Sequence, residues 1–151
     1  MFTMNASQRE LLQSHGIVLA RFCLGALFFL SGLQVILGGV ESLEQTAALI
    51  AGKGFPLAML LALLVVVIKI GAAAALMLGW RAGLAAGVLI FFTALTTVFF
   101  HLTPVQPGIF GIDPGLFKNL GIIGGLLYVA AYGPGTGWRV GSGSPTQSTV
   151  V

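Results

Sequence analysis

Charge is scarce in this chain: 7% of its 151 residues are Asp, Glu, Lys or Arg, where a soluble domain carries roughly 25%. With 57% hydrophobic residues and a mean hydropathy of +1.03, that shortage excludes a soluble enzyme, a disordered tail and a fibrous repeat. Cysteine is nearly missing as well. Cys23 stands alone, which excludes an intramolecular disulfide and a cysteine metal cage. There is no Walker loop, dinucleotide fingerprint or nucleophile elbow, so no catalytic residue is expected from any of those chemistries. The basic residues give a formal net charge of +3, but they are scattered one at a time. Such spacing makes no stripe along a phosphate backbone, and nucleic acid is not expected as a partner.

What the chain has instead is four apolar stretches of about 20 residues, each long enough to cross a hydrocarbon core of about 30 Å as a helix. The expected fold is all-α: an integral membrane four-helix bundle, with the lipid bilayer as its first partner. Residues 1–15 are polar and form a leading segment, residues 16–135 the four-span membrane domain, and residues 136–151 a Gly/Ser/Thr-rich, mobile tail. The first span covers residues 16–37. It is longer than a signal-peptide core and lacks a small-residue cleavage site, so it reads as retained.

Between spans one and two, residues 41–54 carry Leu43, Ala47, Ile50 and Ala51 at helical spacing, with Glu41, Glu44 and Gln45 mostly elsewhere, which predicts a short interfacial helix. Pro56 opens the second span, where its missing N–H costs nothing, and that span runs to Leu78. Arg81 sits in a very short turn, so the second span and the third, residues 82–102, are antiparallel neighbours. Residues 103–115 hold three Pro and three Gly and form a loop. The fourth span covers residues 116–132 and stops at the Gly-Pro-Gly of residues 133–135. Small residues let helix backbones approach in lipid, and the pairs Gly83/Gly87 and Gly121/Gly125 are expected to pack within the bundle rather than to form a dimerisation face.

Four spans put both termini on one side. Arg9, Arg21, Arg81 and Arg139 fall on or near it, with Arg21 one turn inside its span and able to snorkel out. Glu41, Glu44 and Asp113 fall opposite, with Lys53 and Lys118. The positive-inside rule then places both termini in the cytoplasm. His15 and His101 lie on opposite sides, so they cannot form a metal or haem pair within the chain, and no metal site is expected.

Lys69 falls near the centre of the second span, where a lysine costs about 2.5 to 3.5 kcal/mol on insertion scales. It is expected to face the bundle interior. No carboxylate lies in any span, so its partner is a loop acid (Glu41, Glu44 or Asp113), another subunit, an anionic or carbonyl ligand, or none at all with the amine neutral. Glu44 is the favoured internal acid, because its interfacial helix can fold over the outer mouth. Thr93, Thr97 and His101 are spaced by four on one face of the third span. Lys118, Gly121, Gly125, Tyr128 and Tyr132 make a stripe on the fourth, with Asn119 beside it, and Gln34 is near the outer end of the first. Together they suggest a polar pocket opening outward, whose candidate ligand-binding residues are Lys69, His101, Lys118, Asn119, Gln34, Thr97 and Glu44. Each has a plainer reading, since threonines bond their own helix carbonyls and Tyr128 and Tyr132 suit an aromatic belt.

These pieces resemble the DoxX family of small four-span membrane proteins. RFCLGALFFLSG (residues 21–32) is similar to the family's opening R-x3-G-x6-G, KIGAAAALMLG (residues 69–79) to its second-span motif, and FKNLGIIGGLLYVAAYGPG (residues 117–135) to its closing motif, with His101 ending span three. The resemblance runs over residues 21–140. Two positions depart from the pattern. Val35, next to Gln34, stands where the family usually has Lys, and Lys69 stands where it has Glu, so the family's Lys/Glu pair is absent, while Lys118 and Asn119 carry over.

The resemblance implies an accessory subunit of a quinone-linked or oxidative-stress redox module in the bacterial inner membrane. Such a subunit has no independent catalysis and holds no covalently bound cofactor. It would contact a quinone, a redox protein partner or further copies of itself, with any haem, flavin or cluster on another chain. The competing expectations are a small solute or anion transporter and an assembly scaffold.

Overall fold

The computed structural model describes residues 5–102 and 113–140, without the side chain of Gln13. Its first helix starts where the sequence supplies a reciprocal cap. The Asn5 side chain accepts from the Gln8 backbone N–H at 2.9 Å, and the Gln8 side chain accepts from the Asn5 N–H at 3.1 Å, so two of the orphan donors of a helix start are satisfied. From there α1 (Ala6–Leu11), a π-helical turn (Leu12–Gly16) and α2 (Ile17–Leu37) run on as one helical stretch of 32 residues. At 1.5 Å per residue it is about 48 Å long, well beyond a hydrocarbon core of about 30 Å, and its first turns therefore stand outside the membrane. Residues 6–15 are thus helix and not merely a polar leader; the Asn-x-x-Gln spacing was the signal for it.

Gly39, at φ 65°, breaks the chain into α3 (Gly39–Ala51). Then come α4 (Ala58–Leu78), α5 (Ala82–Phe100) and α6 (Pro114–Tyr132). Four helices are long and apolar enough to cross a membrane, and no strand occurs among the described residues. The chain is an all-α four-span membrane bundle with a short helix between spans one and two. Pro56 does not open α4: Leu57 adopts a left-handed conformation (φ 55°) as its N-cap, and the helix begins one residue later.

The spans alternate in direction. Gly25 of α2 lies against Ala73 and Met77 of α4, and Gly32 against Lys69 and Ile70, so positions rise on one helix as they fall on the other. Thr97 and Gly83 of α5 meet Asn119 and Ala130 of α6 in the same antiparallel sense. Around the bundle the order is α2, α4, α5, α6, with α6 closing back on α2, and α3 leans on α4 and α2. Phe28 and Phe92 bridge the diagonal edge to face, with centroids 6.4 Å apart.

Each inward stripe follows from helical period. On α2 the buried residues are Arg21, Gly25, Phe28 and Gly32, steps of four, three and four that keep one seam facing its neighbours. On α6 they are Asn119, Leu126 and Val129, with Ile122 partly buried between. Outside, Leu19, Leu60, Val67, Leu84 and Phe91 are exposed. An apolar surface of this kind is stable only against acyl chains, so the lipid bilayer is the molecule's solvent.

The closest approach is made by the seven-spaced pair Gly25 and Gly32, not by the four-spaced glycine pairs. A Cβ on Gly32 would lie 2.8 Å from Ile70 Cγ1 and 3.0 Å from Lys69 Cβ. Of the four-spaced pairs, only Gly83 (3.7 Å from the Ala130 carbonyl) and Gly125 (3.2 Å from Leu24) turn inward, while Gly87 and Gly121 have open space around them. The expected packing role therefore holds for one member of each pair. Gly121 points away because the buried stripe on α6 is set one residue along, through Asn119, Ile122 and Leu126, and Gly87 because α5 buries Ala82, Ala85, Ala86 and Leu89 instead.

At the opposite end from α3, Arg21 is fully buried rather than snorkelling to water. Its Nη2 donates to the Trp138 carbonyl at 2.6 Å, and its Nε and Nη1 find no partner among the described residues. The guanidinium rests on Gly79, at φ 71° in the three-residue turn between α4 and α5, where Arg139 also packs. The Val140 N–H donates to the Leu78 carbonyl at 2.8 Å. The tail expected to be mobile from Thr136 thus begins as a docked strap through Val140; residues 141–151 lie outside the described residues.

The two kinds of glycine separate in a stability measurement. Gly32→Ala forces α2 away from Lys69 and Ile70, and overpacking of this kind costs about 1 to 3 kcal/mol. Gly121→Ala adds its methyl to open space and leaves the thermal midpoint in detergent at or slightly above that of the unchanged protein. Equal midpoints for the two variants would contradict the assigned seam.

Candidate functional site

Because α2 lies against α4 at Gly32, the Lys69 side chain is turned toward the middle of the bundle, where it is half-buried. It sits 11 residues along α4 from Ala58, about 16 Å from that end of the helix. There it lines a cavity of about 310 Å³ shared by α2, α4, α5 and α6. Ser31, Thr93, Thr96, His101, Lys118 and Asn119 complete the polar part of the lining. Leu27, Phe28, Phe92 and Ile122 form its apolar walls. Among the described residues the lining contains two lysine side chains, an imidazole and a carboxamide, and no carboxylate.

The walls are fixed by hydrogen bonds that need no ligand. Asn119, buried, donates from Nδ2 to Thr97 Oγ1 at 2.9 Å; Thr97 donates to the Thr93 carbonyl at 2.6 Å and Thr93 to the Leu89 carbonyl at 2.7 Å. This relay ties α6 to α5 between two membrane-spanning helices, where an unpaired buried amide would be costly. Thr97 is therefore a support behind the cavity rather than part of its surface.

At the His101 end, Asp113 is the N-cap of α6, with Pro114 at the first helical position, the pairing that helix starts favour. Its Oδ1 accepts from the Gly115 N–H at 2.7 Å, and its Oδ2 accepts from His101 Nδ1 at 2.5 Å. A carboxylate only accepts, so Nδ1 carries the proton. The His101 ring packs directly on Gly115, where a Cβ would collide with it. These bonds, the one from His101 first and the one from Gly115 second, hold the Asp113 carboxyl below its usual 3.8.

Of the seven residues singled out from sequence, Lys69, His101, Lys118 and Asn119 line the cavity together, and Thr97 stands behind Asn119. Gln34 and Glu44 do not join them: both are exposed and absent from the lining. Glu44 fails to reach because α3 folds against α4 on the other flank, where its Ile50 covers an apolar groove. Of the stripe from Gly121 to Tyr132, Gly121, Tyr128 and Tyr132 turn outward while Gly125 meets Leu24, and the rings of Tyr128 and Tyr132 pack 4.6 Å apart on the exposed face. Three polar wall residues were missed as site residues: Ser31, Thr93 and Thr96. Thr93 was legible on the His101 face of the third span, whereas Thr96 and Ser31 carried no signal until the helices were oriented. Asp113 serves His101 rather than Lys69, and the Asp-Pro-Gly of residues 113–115 was the signal for its capping role.

The family model described as DoxX matches residues 16–102, more than half of the 151 residues. The matched stretch includes Lys69 and His101 and stops short of Lys118, Asn119 and the closing motif. No curated protein and no solved structure matches the chain.

The His101–Asp113 contact has a defined dependence on pH. A carboxyl whose value is lowered in the folded state stabilises it fully above the unfolded value of about 3.9, and that contribution is lost as pH falls through the folded value. Asp113→Asn is therefore expected to melt below the unchanged protein at pH 7, with the gap between them closing as pH is lowered past about 4. Thermal unfolding in detergent across that range measures the gap, and a gap that is constant with pH would exclude an ionised Asp113.

Proposed function

Because the chain belongs to the DoxX family of membrane proteins, we propose that it is an accessory subunit of a quinone-linked redox module in the bacterial inner membrane. Its contribution is to bind and orient a quinone, while the redox centre that exchanges electrons with it resides on a partner chain. The observation that carries this reading is the convergence of Lys69, His101, Lys118 and Asn119 on one cavity within the membrane. A quinone head has two carbonyl oxygens and a flat apolar ring. The residues fit it: N–H donors in the lining suit the oxygens, and Phe28, Phe92, Leu27 and Ile122 suit the ring.

When bound, the quinone supplies two-electron, two-proton redox chemistry. The chain's own groups do the rest. Lys69 presents its side chain to the cavity at mid-span, where the low dielectric of the surroundings strengthens its interaction with any oxygen that carries negative charge. His101, held by Asp113, keeps one ring nitrogen bound and the other free for the cavity. Asn119 is oriented by Thr97 and braces α6 against α5. The apolar walls keep water away from the head.

A second reading has its own support. Two ammonium groups face the cavity without a carboxylate in its lining, which favours a small anion and so an anion transporter. The orientation proposed with either reading puts both termini in the cytoplasm. Arg21, Arg81 and Arg139 gather at one end of the bundle, as the positive-inside rule asks, and Trp80 and Trp138 are exposed there at interfacial depth.

Lys69→Met decides between the readings. It removes the buried charge, so the variant folds as well as the unchanged protein or better. Protein purified from its native membrane is expected to carry stoichiometric quinone, and the variant to have lost it. Quinone retained by the variant, or absent from the unchanged protein, would overturn the redox reading. Uptake of a small anion into proteoliposomes that Lys69→Met abolishes would establish the transporter. For orientation, a C-terminal reporter that functions only in the cytoplasm is expected to be active, and an inactive one would reverse the topology.

A further inference from the structure

A second cavity lies against the first. It is a groove of about 230 Å³ between α4 and α5, with Leu61, Leu64, Val65 and Ile68 on one side and Val88, Phe91 and Leu95 on the other. Phe92 and Thr96 line both it and the polar chamber. Phe92 is buried, with its ring edge-on to Phe28 at the centre of the bundle. Thr96 spends its hydroxyl hydrogen on the carbonyls of Phe92 (3.1 Å) and Thr93 (3.0 Å) in its own helix. The threshold between the two cavities is therefore an aromatic ring and a threonine with no free donor.

The groove is closed toward the aqueous end and open toward lipid. Ile50 of α3 and Phe55 lie over it, Phe55 packs edge to face on Phe99 with centroids 4.7 Å apart, and the Lys53 ammonium stands 5.4 Å from the Phe100 ring. On the bilayer side its rims are exposed, with Leu64 at 50%, Phe91 at 70% and Leu95 at 44%. From Leu61 to Ile68 it follows α4 for about 10 Å. A partner helix is 10–12 Å across with its side chains and does not enter a groove of 230 Å³. A single hydrocarbon chain does.

We propose that the chamber and the groove are the two halves of one site for an amphiphile, whose oxygen-bearing head lies among Lys69, His101 and Lys118 and whose single apolar tail passes Phe92 and Thr96 to lie between α4 and α5. The ligand reaches the site sideways from the bilayer. This rests on the ligand-binding reading above and adds what that reading leaves open: a tail is recognised, and a tailless head or a free anion is not the preferred occupant. It also gives α3 a task, which is to seal the tail groove from water. Phe92 is a positioning residue that separates the head from the lipid.

The test uses the full chain in lipid nanodiscs and two probes with the same head, decylubiquinone and its tailless parent 2,3-dimethoxy-5-methyl-1,4-benzoquinone. Affinity is measured by titration, the tailed probe being expressed per mole of lipid so that partition into the bilayer is not counted as binding. Leu64→Trp fills the groove without touching the chamber. It is expected to weaken the tailed probe about tenfold, the size of an overpacking penalty, and to leave the tailless probe unchanged. Lys69→Met weakens both. Leu95→Trp repeats the experiment from α5, so a fold defect in one variant does not decide the outcome. If both tryptophan variants bind the tailed probe as the unchanged protein does, the tail groove is wrong while the chamber stands. If the unchanged protein binds neither probe, the chamber reading fails and this proposal with it.

Discussion

The close approach of α2 to α4 at Gly25 and Gly32 is the contact on which the rest of the molecule depends. In lipid there is no hydrophobic force between helices, and packing at short range must hold them. Hydrogen at two positions seven residues apart lets the α2 backbone settle onto Ala73, Met77, Lys69 and Ile70. That contact rotates α4 so that its only charge points between the spans instead of into acyl chains. It also seats Phe28 against Phe92 across the bundle, and the ring of Phe92 in turn divides polar space from apolar.

Electrostatics within the membrane half is one-sided. Asp113 is the one acid at the cavity's end, and it is already engaged by His101 and by the start of α6. Lys69 and Lys118 share a space whose described lining holds no carboxylate, and the charge of Asp113 at its end reaches Lys118 but belongs first to His101. The proposed preference for negative or carbonyl oxygen rests on this imbalance. The family's Lys/Glu pair would neutralise itself within the chain. With Val35 and Lys69 at those positions this chain has no such pair.

The two ends of the bundle use cations differently. At the His101 end they line space. At the other end Arg21 is packed on Gly79 and tied to the Trp138 carbonyl, so its charge serves to clasp the strap of residues 133–140 onto the turn between α4 and α5. The cost of burying a guanidinium whose Nε and Nη1 find no partner among the described residues is borne at the point where chain and turn must be held together, close to the interface rather than at mid-span.

Composition and helical period were enough to determine the class of the molecule: four apolar runs too long for any other use, the short helix between the first two, and the turn at Arg81 that makes α4 and α5 neighbours. They also marked Lys69, since a charge amid apolar residues stands out whatever the fold, and put Thr93, Thr97 and His101 on one face. What period cannot supply is the rotation of each helix about its own axis. A stripe through Gly121, Gly125 and Tyr128 and a stripe through Asn119, Ile122 and Leu126 are equally regular, and only contact with α5 and α2 selects the second. For the same reason Gln34 and Glu44 were expected beside Lys69, where Ser31 and Thr96 line the cavity instead. Depth along a span can be counted in residues, but which neighbour a side chain faces depends on where small residues let two helices touch, and that is a property of pairs of helices and not of any one segment.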